Sequence, residues 1–137
     1  MNLTEALFDV LAGDPTIAGL VSEYATGEPA VFTIDPAPGD AELPYIVAAG
    51  HVADVPWDTK TDIGREVWRD VRCYAEADGS ADVVEAIAER VRAVLHRGSF
   101  SVSGYGVVVA DCSGPVVADE RDAYGRVVTI RLKLMEV

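Results

Sequence analysis

The residues able to do chemistry are few and scattered. His51 and His96 are the only two histidines, and neither has a second His or a Cys at the spacing of a helical metal site. A site drawn from His51, Cys73, His96 and Cys112 would have to be gathered from distant segments, and ordinary structural roles are the expectation for all four. Ser99, Ser101 and Ser103 crowd one stretch. None stands in the G-x-S-x-G setting that raises a serine on a strained turn toward a histidine. Gly104-Tyr105-Gly106 has two glycines of a phosphate loop but not the third. It also leads into a strand, whereas a phosphate cradle needs a helix start. Glu85 and Glu89 lie one helical turn apart and read as a solvated face. Asp119, Glu120 and Asp122 read as an exposed loop. The expectation is therefore no catalytic residue, no bound metal and no cofactor.

The aromatics say more. Trp57 sits in a charged loop, and Trp68 and Tyr74 fall on the charged side of their strand. Aromatics so placed anchor protein interfaces, or else a second helix packs over that face. The residues expected to make contacts are Trp57, Trp68 and, in the loop that follows position 114, Pro115, Asp119, Glu120, Arg121, Asp122 and Tyr124.

The positioning elements follow from periodicity. Leu3, Leu7, Val10 and Leu11 recur at helical spacing, with Asn2 or Thr4 as cap and Gly13 as stop. Asp14 caps a second short helix with Pro15 at its first position. Residues 22–30 read as a loop, and Val31–Ile34 as a short strand. The stretch 35–40 holds two prolines and is irregular. Leu43–Val52 reads as a strand, with Pro44 at its start or on an edge. Residues 53–63 read as a charged loop.

Arg65–Ala75 alternates, with Val67, Val71, Cys73 and Ala75 on one face and Arg69 a discord among them. Val83, Val84, Ile87, Val91, Val94 and Leu95 form the stripe of a long helix ended by Gly98. Gly106–Cys112 reads as a buried strand and 113–126 as a long connection. Val128, Ile130, Leu132 and Leu134 face inward from a last strand. The order predicts an α+β fold in one domain, with helices packed on a mostly antiparallel sheet.

The whole chain bounds the function. Its 137 residues suit one core, and half are hydrophobic. No apolar run approaches the ~20 residues of a membrane span. The start has no basic segment or cleavage site, so no secretory signal is expected. Cys73 and Cys112 make no disulfide framework, so buried free thiols and synthesis in a reducing compartment are expected. The net charge of −12 repels phosphates and anionic membranes. It is lopsided: residues 1–59 hold ten acids and no Lys or Arg. A one-sided negative face, set against a basic partner or lining a channel, is one reading of this. A well-solvated acidic surface is the other.

Several segments, in order, resemble one family. They are Leu7 through Leu11-Ala12-Gly13-Asp14 with Ile17 and Leu20-Val21, then Val31-Phe32, then Pro36-Ala37-Pro38 leading into Leu43-Pro44-Tyr45-Ile46-Val47. Asp70-Val71-Arg72-Cys73-Tyr74-Ala75 and Ala86 through Val94-Leu95 follow. Asp119-Glu120-Arg121-Asp122 and Val128-Thr129-Ile130-Arg131-Leu132 close the series. Together they are similar to the tail-completion, or tail-terminator, family of long-tailed phages and gene transfer agents. Residues 22–29 look like an insertion, Ala30 stands where members often carry a base, and 99–115 has no strong signature.

The resemblance implies a virion protein that forms a ring, usually of six copies, on the end of the tail tube and stops its polymerisation. Its implied partners are further copies of itself, the tail-tube protein and a head-completion or stopper protein. DNA is implied only as passing cargo, with no membrane and no cofactor. A head–tail connector or stopper of the same neck is the alternative role. An α+β domain that binds a small molecule is the alternative of another class, and it calls for an enclosed apolar pocket.

Overall fold

The computed structural model describes residues 2–137. The chain opens with α1 (Leu3–Ala12) and α2 (Pro15–Leu20). Leu3, Ala6, Leu7 and Leu11 are the buried side of α1, as their spacing dictates. Asn2 stands at the cap position but makes no capping bond; its Oδ1 instead accepts from the Ser103 amide at 2.7 Å. Asp14 does cap α2, accepting from the Ile17 amide at 3.0 Å, with Pro15 at the first helical position.

Residues read as a loop after α2 contain a small hairpin, β1 (Glu23–Tyr24) with β2 (Glu28–Pro29). The main sheet follows: β3 (Val31–Phe32), β4 (Tyr45–Pro56), β5 (Gly64–Glu76), then α3 (Asp82–Leu95), β6 (Tyr105–Val117) and β7 (Ala123–Glu136). Its strand order is β3-β4-β5-β7-β6. Only β3 pairs parallel; every other pairing is antiparallel. This is the expected α+β arrangement of helices on a mostly antiparallel sheet.

One face of the sheet carries Val67, Val71 and Cys73 of β5 with Val128, Ile130, Leu132 and Leu134 of β7. All are fully buried against α1, α2 and α3. α3 presents Val84, Ile87, Ala88, Val91 and Leu95 to that face. Val83, placed in the stripe by periodicity, lies in the first turn and is 45% exposed.

Three strand readings need correction. β4 runs on to Pro56, because residues 53–56 pair with 65–68; only 57–63 form the connection. β3 stops at Phe32, leaving Ile34 exposed. β6 is no buried central strand. It is the sheet's edge, with Val108 56% exposed beside a register shift, and it continues to Val117. Gly114 and Pro115 read as chain breakers, yet an edge strand absorbs them in a bulge between Ser113 and Val116. Gly114 sits there at φ +93, where a Cβ would meet the Val127 carbonyl at 2.7 Å. The long connection therefore shrinks to residues 118–122.

Candidate functional site

Among the described residues no helix lies on the second face of the sheet. Across its middle, Ala53, Trp68, Arg131 and Asp111 line up from β4 through β5 and β7 to β6. The next rows are Val55, Glu66, Lys133 and Val109, and Gly50, Asp70, Thr129 and Ser113. Arg131 lies between Glu66 at 3.5 Å and Asp111 at 3.9 Å, and the Thr129 hydroxyl donates to Asp70 at 2.6 Å. These pairs set opposite charges side by side across the face, though each is worth little alone in solvent. Trp68 is half-buried among them. Exposed Val116, in register with Val127, lies along one border, and Val55 along the other.

Trp57 joins Trp68 on this side. Its ring lies 5.0 Å from the Lys133 ammonium, and its amide donates to the Gly64 carbonyl at 2.9 Å. Gly64 is required there, since a Cβ would stand 2.4 Å from the Trp57 carbonyl. The other expected contact residues are brought to the opposite end of the sheet. Pro115 is half-buried in the β6 bulge. Asp119 accepts from the Gly125 amide and from Arg126, and Glu120 accepts from the Tyr74 hydroxyl at 3.1 Å. Tyr124 packs on the helix side, and its hydroxyl accepts from the Gly79 amide. Arg121 and Asp122 stand exposed at the tip of the turn. The eight residues thus fall into two separate groups, the tryptophans and the residues around the turn, not one patch.

At the turn end this face is closed over, with Val47, Tyr74 and Ala123 buried and Ala37 and Leu43 packed against them, and a ladder of rings crosses there. Tyr24, Phe32, Tyr45 and Tyr74 follow one another at 5.0, 5.8 and 5.6 Å. Burial, then the nearby carboxylates of Glu120 and Asp35, push the Tyr45 hydroxyl above its ordinary pKa.

The two sheet edges differ. The free edge of β6 is sealed by the chain after α3. The Arg97 amide donates to the Ala110 carbonyl at 2.8 Å, the Cys112 amide donates to His96 Nδ1 at 3.0 Å, and Arg92 reaches the Gly114 carbonyl. This blocks strand addition on that side. β4 is covered by β3 only at Ile46 and Val47. Sequence reasoning missed both the seal and the open edge, because no local pattern states which strand lies outermost.

Among the described residues no three His, Cys, Asp or Glu side chains gather as metal ligands, and no helix is long and apolar enough to cross a membrane. Cys73 and Cys112 are both free and buried.

A family model bears on these readings: the tail completion protein gp17 family matches residues 5–135. The chain belongs to that family. As a tail completion protein it is a structural component of the virion tail and not an enzyme. A solved chain from the virion of a native gene transfer agent particle shares the fold, with a TM-score of 0.80. The match spans 97% of this chain and 94% of that one at 18% identity. A search of curated proteins found no match.

Proposed function

We propose that this tail completion protein caps the tail tube as a ring of identical copies, six in number, stops tube polymerisation and joins the tail to the neck. Residues 1–137 act in this as one terminator domain. Its partners are its own neighbours in the ring, the tail-tube protein and a head-completion or stopper protein, with DNA as passing cargo. The family match over nearly the whole chain carries this reading. The uncovered part of the sheet face supports it. That face combines two tryptophans, opposite charges side by side and apolar borders, the composition of a protein interface. The acids of the first 59 residues belong on the lumen or the outer wall, where like charge keeps DNA from adhering.

Disrupting the gene and imaging the lysate by electron microscopy tests the role. Overlong headless tubes beside full unattached heads are expected. Tails of normal length that fail to join heads would make the protein a connector or stopper instead. Normal infectious particles would overturn both neck roles.

A further inference from the structure

His96 is one of the two histidines that the sequence leaves without a chemical role, and the fold sets it at the C-cap of α3 against the outer side of β6. Its Nδ1 accepts from the Cys112 amide at 3.0 Å. An imidazole nitrogen accepts only while it carries no proton, so this bond fixes the ring as neutral, with its hydrogen on Nε2. The neighbouring rung is the Arg97 amide, which donates to the Ala110 carbonyl at 2.8 Å. Arg97 holds φ +56 there, a left-handed conformation that residues other than glycine rarely adopt. Arg92 adds a contact at the Gly114 carbonyl. The end of α3 thus stands in for an absent neighbouring strand at Ala110, Cys112 and Gly114. Of these contacts only the middle one changes with protonation near neutral pH, since a guanidinium and a backbone amide keep their protons throughout.

The charged and titratable groups about the ring are few. Arg92 and Arg97 belong to its own segment, and residues 98–104 bring no charged side chain. On β6 stand the Cys112 thiol, which burial pushes up to about 11, and Asp111, 3.9 Å from Arg131 of β7. The β7 residue in register with Cys112 is apolar Ile130. Protonating Nδ1 turns the acceptor into a donor that faces the donor of Cys112. The bond is then lost, and the amide has no partner left on that side.

We infer that His96 is a pH-operated latch on the β6 edge: neutral, it closes the edge at Cys112, and protonated at Nδ1, it releases it. Amide hydrogen exchange of the full ¹⁵N-labelled chain, read residue by residue by NMR between about pH 8 and about pH 5, tests this, with the imidazole nitrogens followed in the same samples. At the upper end His96 should show the Nε2–H tautomer. The Cys112 protection factor, corrected for intrinsic exchange, should fall about tenfold or more as the ring takes up its proton, while Val71 and Val128 in the sheet interior hold theirs. His96→Asn places a carboxamide oxygen where Nδ1 stands, so protection should persist across the range. His96→Ala should leave Cys112 weakly protected at every pH, and His51→Ala should keep the wild-type response. An Nδ1–H tautomer at about pH 8, a ring that stays neutral down to about pH 5, or Cys112 protection that ignores the ring's titration would each overturn the latch. So would a pH response that survives in His96→Asn. A fall shared by Val71 and Val128 would also overturn it, because the whole sheet and not its edge would then be opening.

Discussion

Asp14 turns the corner between the first two helices with two bonds of different kinds. Its carboxylate caps α2 through the Ile17 amide and accepts a bidentate pair from Arg90 of α3 at 2.8 and 2.9 Å. The Arg90 hydrogen bonds, working against burial, hold its carboxyl below the usual carboxylate range. A depressed folded pKa means stability that is present above the unfolded value and lost as pH falls through the folded one. Asp14→Asn keeps a capping side chain but not the charge. The stability gap between wild type and this variant should therefore be constant above about pH 5 and close as pH falls below about 4. Denaturant unfolding at a series of pH values reads it directly. Asp14→Ala, which also removes the cap, should cost about 1–2 kcal/mol at pH 7.

Cys73 and Cys112 test burial at the same scale. Burial pushes their thiols up to about 12 and about 11, so at pH 8 almost no thiolate exists to react. Iodoacetamide should label neither in the folded protein and both in denaturant. Rapid labelling of Cys73 in the native state would contradict the packing described.

Elements show where periodicity suffices and where it does not. The stripe of α3 identified Val84, Ile87, Val91 and Leu95 correctly, because a helix against a sheet must bury one side. It also admitted Val83, which stands in the first turn and is exposed. Ile87→Ala should cost about 2–5 kcal/mol and Val83→Ala less than about 0.5 kcal/mol in urea unfolding. β6 misled for a related reason. A run of valines reads as a central strand, but centrality is a property of neighbours. Here the residues after α3 seal that strand's outer side by hydrogen bonds no sequence pattern announces.

For the whole molecule, the relevant asymmetry is a sheet covered by helices on one side and, on the other, covered only at its turn end. Trp68 lies on the open side, so Trp68→Ala should act on assembly more than on folding. The ring should weaken by about 2 kcal/mol per contact, roughly thirtyfold. Its unfolding midpoint should move less than that of Ile87→Ala. Sedimentation of the two variants side by side separates the effects. Equal loss of folding and assembly would mean that Trp68 belongs to the core and not to an interface.

By itself the sequence determined the fold class, the three helices and the core rows of β5 and β7, because burial on one face imposes a period of 3.6 or 2 that any reader can count. The succession of Leu43-Pro44-Tyr45-Ile46-Val47 and its companions also pointed to the right family. Only the tertiary structure decided that Trp57 and Trp68 share a face while the 118–122 turn lies at the far pole, and that β6 is a sealed edge. It also gave Arg69 its meaning, since a charge in an apolar row is a fault in one dimension. The fold sets it in an open cleft beside α1, where its guanidinium donates to the Thr4 hydroxyl.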